Sequence, residues 1–200
     1  MTLEQLGAVI LVALISTITP GPNNLMLMAS GANFGFRRTV PHMLGISLGF
    51  PLMIALVGLG VMQLFDLWPP LHTILKVLSV AYLLYLAWKI ANAGKPRETR
   101  KKPRPLTFVE AAGFQWVNPK AWSIALSVIT LYAAGRTISS VLIVAAVFVI
   151  AGAISTTSWT VLGQQMRRFL GSPLRLRIFN WTMAALLLAT LIPVLWPKGI

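Results

Sequence analysis

Two short runs hold the residue types from which a binding site can be built. Thr19-Pro20-Gly21-Pro22-Asn23-Asn24 lies inside one long apolar segment, and Gln115-Trp116-Val117-Asn118-Pro119-Lys120 interrupts another in the second half of the chain. Pro20 and Pro22 remove two backbone donors and free carbonyls one turn earlier, near Ser16 and Ile18. Gly21 lets the chain turn, so the N–H groups of Asn23, Asn24 and Leu25 open a new half-helix whose positive end attracts a carboxylate. The freed carbonyls suit an ammonium or another cation. One broken helix thus offers complementary ends to a zwitterion. Lys120 is the only basic residue well inside an apolar segment, roughly 15 Å from its nearer end at about 1.5 Å per residue. Either it serves the break or it snorkels to the surface, and the sequence alone leaves both open.

Other chemistry is poorly provided for. The four acids, Glu4, Asp66, Glu98 and Glu110, form no cluster, and none lies mid-segment. His42 and His72 are far apart, near segment ends, and are read as interfacial. The chain has no cysteine, which removes disulfides, thiolate metal sites and thiol-redox carriers. A membrane-embedded enzyme needs paired carboxylates, paired histidines or a nucleophile with its base. No G-x-x-x-x-G-K-[ST] loop is present to bind a nucleotide. Catalytic residues, metal sites and cofactors are therefore not expected.

The elements that position these runs follow from composition. Mean hydropathy is +0.77, and 10% of the 200 residues are charged, against about 25% in soluble domains. Such a chain belongs in a membrane. Its net charge of +13 is carried in short runs between apolar segments, which reports orientation rather than nucleic-acid binding. A crossing needs about 20 apolar residues, and six candidates stand out at 3–30, 40–63, 71–91, 109–132, 138–162 and 178–196. The stretch between the third and fourth contains Lys95, Arg97, Arg100, Lys101, Lys102 and Arg104, and its prolines oppose a helix. Placing it in the cytoplasm puts Arg37, Arg38, Arg167, Arg168, Arg175 and Arg177 there too, leaving only Arg136 and Lys198 opposite. Both termini then face the periplasm. No basic stretch precedes the first apolar segment, so it reads as a mature spanning helix rather than a cleaved signal.

The expected fold is an all-α polytopic membrane protein, one transmembrane domain over residues 1–200. Residues 1–91 form a three-helix repeat, 92–108 a basic cytoplasmic loop, and 109–200 a second repeat. Three helices per half invert the second half relative to the first, and Lys76–Leu84 shows weak similarity to Asn180–Leu188. Helices 1 and 4 are broken, and paired interruptions of this kind point to a transporter's substrate site. Both breaks fall in the cytoplasmic half, where they can face each other, although strict inverted symmetry would place them at opposite depths. Gly31 with Gly35 and Gly45 with Gly49 permit close helix contact, and Pro51 is expected to kink the second helix. Ser155, Thr156, Thr157, Ser158 and Thr160 are expected to bond back to their own helix, with cavity lining as the alternative. Trp68, Trp88, Trp181 and Trp196 suit interfacial belts, whereas Trp116 and Trp159 fall nearer the breaks.

Several of these residues, in order along nearly the whole chain, resemble the LysE/RhtB family of amino-acid exporters. They are Thr19 to Asn24, Gly35-Phe36-Arg37-Arg38, Leu44 to Gly49, Ala81-Tyr82-Leu83, Ala87-Trp88-Lys89-Ile90-Ala91 and Gln115 to Lys120. The double asparagine and the Ala-Trp-Lys-Ile-Ala run are most similar to the cysteine/O-acetylserine exporter branch. One common family feature is absent: Thr39-Val40-Pro41 follows the basic pair where a glycine is usual. The resemblance implies an inner-membrane exporter of amino acids or close derivatives. The expected substrate-binding residues are Thr19, Pro20, Gly21, Pro22, Asn23, Asn24, Gln115, Asn118, Pro119 and Lys120. The expected partners are a small amino-acid substrate, the lipid bilayer, a coupling proton carried by Glu110 or by the substrate's own amine, and a second copy of the chain if it oligomerises. The rival readings are a non-transporting accessory subunit and, more distantly, a membrane-embedded enzyme.

Overall fold

The computed structural model describes residues 1–61, 63–93, 103–133 and 137–195. The charges Lys95, Arg97, Arg100, Lys101, Lys102, Arg136 and Lys198, together with Trp196, lie outside the described residues. Those described form helices throughout, and local chemistry explains most of the ends. Thr2 and Gln5 make a capping box that opens α1 (Leu3–Ile18). α2 (Pro22–Phe34) begins with Pro22 in its first turn, where its missing N–H does no harm. Gly35, at φ 80°, separates α2 from α3 (Phe36–Leu56); a side chain there would be strained. α3 runs on through Pro41 and Pro51 into a π turn at Val57–Val61. Short α4 (Gln63–Leu67) and long α5 (Pro70–Ala91) complete the first half.

The second half opens with α6 (Phe108–Phe114), capped by Thr107 and Glu110. A 3₁₀ turn over Gln115–Val117 and an extended Asn118 separate it from α7 (Pro119–Tyr132). α8 (Ile138–Met166) is the longest helix at 29 residues. α9 (Pro173–Ala189) and a short α10 (Ile192–Leu195) follow.

Three of these helices, α3 with its π turn, α5 and α8, are long and apolar enough to cross a membrane, and a fourth span results if the bent pair α1–α2 counts as one. Of the six expected spans, the second, third and fifth are thus helices of spanning length, and the first is the bent pair. The fourth is divided at Asn118 into pieces of 7 and 14 residues, and α9 has only 17. Arg37 and Arg38, expected in a loop, sit in the first turn of α3.

α8 is the central helix, packed against α1, α2 and α3, while α3 also packs on α6 and α5 pairs with α9. Small residues permit these approaches. A β-carbon at Gly31 would meet the Thr160 carbonyl, one at Gly163 the Met28 carbonyl, and one at Gly45 the Phe108 carbonyl. The buried side chains form two main apolar clusters. One joins α1, α3, α7 and α8 around Phe50, Phe148, Met53 and Val128. The other joins α2, α3, α5, α6 and α9 around Leu27, Leu83, Phe114 and Leu187. Outward-facing Leu11, Leu52, Val77 and Ile150 are exposed, as a lipid-facing surface requires.

Candidate functional site

The backbone opens between the two clusters. α1 ends at Ile18, α2 starts at Pro22 with its axis turned by 54°, and the carbonyls between them lose their helical donors. Those of Thr17, Ile18, Thr19 and Pro20 find side-chain donors. Asn24 Nδ2 donates to Thr17 O at 2.7 Å and to Thr19 O at 2.9 Å. Ser155 Oγ donates to Thr17 O at 2.7 Å, and Trp159 Nε1 donates to Ile18 O at 3.0 Å. Lys120 Nζ reaches across from the other half of the chain to Thr19 O at 2.8 Å and Pro20 O at 3.4 Å. In a membrane interior an orphan carbonyl costs several kcal/mol, so this arrangement allows the break to exist there.

The second break is tied to the first. Gln115, fully buried, exchanges hydrogen bonds with Asn23: Asn23 Nδ2 donates to Gln115 Oε1 at 2.9 Å, and Gln115 Nε2 donates to Asn23 Oδ1 at 3.2 Å. Gln115 Nε2 also donates to Ala111 O at 2.8 Å. Asn118, buried, caps α7 by accepting the Lys120 N–H at 3.2 Å. Pro119 occupies the first turn of α7. The hydroxyl of Thr19 turns back to the Ile15 carbonyl. Gly21 is extended (φ −176°) and caps α2 without any side-chain bond, which leaves the first N–H groups of that half-helix open to a ligand.

The geometry thus brings all ten expected residues together. Gly21, Pro22, Asn23, Asn24, Asn118 and Lys120 line one cavity, roofed by Phe50 and Phe148 and closed at the side by Ser155 and Thr156 of α8. It holds about 490 Å³ of empty space, its open mouth included. Lys120 points into the break and does not snorkel.

Sequence reasoning missed part of the site. Ser155 was expected to bond its own helix, yet it bonds α1, and Thr156 meets Ser47 Oγ of α3 at 3.0 Å while also reaching Ala153 O. Ser158 alone follows the expectation plainly, donating to Ile154 O at 2.8 Å. Thr17 and Trp159 join the site as acceptor and donor. The nearness of Trp159 to the break was the one available signal. His42, expected at an interface, is instead buried at 1% exposure, facing α2, α5 and the segment before α6. Glu110 is committed elsewhere, paired with Arg104 at 2.7 and 2.8 Å and accepting the Thr107 N–H at 2.7 Å.

Apolar helices, two broken segments and a polar cavity at their junction define a membrane transporter. A family model, LysE type translocator, matches residues 14–192, and the chain belongs to that family. It is a multi-pass transporter of the inner membrane and not an enzyme. A cysteine/O-acetylserine efflux protein of Klebsiella pneumoniae subsp. pneumoniae is 30% identical over 190 residues, covering 94% of this chain and 95% of that one. Proteins of the same name from Salmonella paratyphi A and Escherichia coli O1:K1 are each 29% identical, covering 84% of this chain and 87% of theirs. No solved structure matches the chain.

Proposed function

We propose that this chain is a secondary exporter of small neutral amino acids or their derivatives, with O-acetylserine and cysteine as first candidates from the names of its relatives. The observation that carries the reading is the Lys120 bridge. Its ammonium rests on the Thr19 and Pro20 carbonyls, beside the uncapped start of α2. A zwitterion fits this pattern with its carboxylate at the α2 N–H groups and its ammonium at the carbonyls. Lys120 is then a tethered stand-in: the substrate's ammonium displaces it, and it returns when the substrate leaves. The empty carrier can thus reorient with the Thr19 and Pro20 carbonyls covered in a membrane, where a bare carbonyl is costly.

Alternating access by two inverted three-helix repeats accompanies this proposal. Its support is the reciprocity of packing: the first broken helix (α1–α2) packs on α8, the second (α6–α7) packs on α3, and α3–α8 and α5–α9 pair across the halves. The basic excess on one side favours periplasmic termini. Proton exchange drives the cycle. Glu110 is held by Arg104 and Thr107, so it is not assigned as carrier of the inward proton, and the exported ammonium takes its own proton outward.

The test is export from proteoliposomes. Wild-type protein releases the loaded amino acid in net efflux and also exchanges it for external amino acid. Lys120→Met loses net efflux but retains exchange, because exchange needs no empty return. Equal loss of both rates contradicts the stand-in role, and wild-type efflux in the variant contradicts the site.

A further inference from the structure

A second cavity lies one turn along α3 from the first, and nothing above uses it. It holds about 680 Å³ of empty space, mouth included, between α2, α3, α5 and the segment leading into α6. His42 lines it, whereas Ile46, four residues on, lines the cavity at the breaks. His42 is 1% exposed and neither ring nitrogen has a hydrogen-bond partner. Such an orphan is rare in a folded interior, where polar atoms nearly always find partners. Lys89 lines the same cavity, within electrostatic reach of His42. Among the described residues it makes no hydrogen bond or ion pair. Arg104, also lining, is already neutralised by Glu110. The remaining walls include Met26, Leu86 and Leu106.

We propose that this cavity is a second binding site, taking a small organic monoanion through Lys89 and His42. Lys89 is the one cationic side chain on the described walls with no direct hydrogen-bond or ion-pair partner, and an imidazole N–H supplies a directional donor. The apolar walls take a short hydrocarbon body. A zwitterion is disfavoured because its ammonium would add a second positive charge beside Lys89, and the Glu110 carboxylate is already satisfied. The site is therefore complementary to an anion, unlike the breaks, which offer both charges. This inference stands whatever the chain exports.

Butyrate is the probe, titrated by calorimetry into the full chain in phosphatidylcholine nanodiscs. Saturable binding is expected for butyrate, with butyramide and 4-aminobutyrate at least about tenfold weaker, since a charge-assisted hydrogen bond is at stake. Lys89→Gln weakens butyrate by a similar factor, His42→Phe weakens it severalfold, and Lys120→Met leaves it unchanged. Anionic phosphatidylglycerol in the nanodisc separates two sources of the same charge: competition with butyrate assigns the site to a lipid headgroup, and its absence assigns it to a free carboxylate. Butyramide binding as tightly as butyrate overturns the proposal without any variant having to fold. So does undiminished binding to folded Lys89→Gln, or loss of binding in Lys120→Met.

Discussion

Gly21→Ala isolates the Lys120 bridge without touching a charge. Gly21 is in the extended region at φ −176°, so alanine adopts the backbone freely. What it meets is Lys120: a β-carbon there would stand 2.8 Å from Cδ and 3.1 Å from Nζ. Restoring an ordinary carbon–carbon separation of about 3.5 Å withdraws the lysine stem by about 0.7 Å. The Nζ–Thr19 bond at 2.8 Å and the weaker Pro20 contact at 3.4 Å are then stretched or lost. A hydrogen bond to a charged group contributes about 1.5–3 kcal/mol. Losing half to all of the lower figure corresponds to about three- to tenfold in rate. The expected result is net efflux from proteoliposomes reduced by that factor, with exchange near the wild-type rate and a melting temperature lowered by no more than about 2–6 °C. In a Lys120→Ala background, which lacks the stem that the new methyl would strike, the same alanine changes the residual net efflux less than about twofold. If Gly21→Ala instead keeps its full effect in that background, or slows exchange as much as net efflux, the stand-in reasoning is wrong.

Three further outcomes are expected. Gly163→Ala places a methyl against the Met28 carbonyl, a backbone group that cannot swing aside. It should lower stability by about 1–3 kcal/mol, read as a drop in melting temperature, and an unshifted melt would show that α2 and α8 are not held this closely. Glu110→Gln removes an ion pair whose side chains are 52% and 32% exposed, so stability changes by less than about 1 kcal/mol. Export by this variant should still respond to an imposed pH gradient, and loss of that response would make Glu110 the proton carrier after all. Because the chain has no cysteine, Thr2→Cys reports topology cleanly. A membrane-impermeant maleimide should label it from the periplasm in intact cells, and labelling only after lysis would reverse the orientation.

The ends of the broken helices were legible because proline and glycine act locally. Pro22 and Pro119 open their half-helices where backbone chemistry requires. The meeting of the two breaks followed from counting residues to the membrane surface, and the Asn23–Gln115 and Lys120–Thr19 bonds realise it. What lay beyond the sequence was the identity of donors from α8. A serine in an apolar helix can bond its own turn or a neighbour's carbonyl with equal chemistry, and only the close seat of α8 on α1 and α2 decides between them for Ser155. Lys120 was ambiguous for the same reason, since a long stem reaches either the surface or the break. His42 was misjudged because burial depends on what α5 and the segment before α6 lay over α3, and no local signal reports that. Helix continuity was overestimated at Thr190, where an apolar run hides a turn between α9 and α10, whereas the break at Asn118 was legible from its proline.

The central claim is that the exported amino acid occupies the cavity between the breaks. Ile124 of α7 lines that cavity, and Ile124→Cys supplies the only thiol in the protein. With a thiol-free amino acid that the protein exports, maleimide labelling of this cysteine should slow progressively as substrate saturates transport, with matching half-saturation, and the labelled protein should no longer export. Labelling at the same rate with and without a transported amino acid, by a variant that still exports, would place the substrate elsewhere and contradict the account.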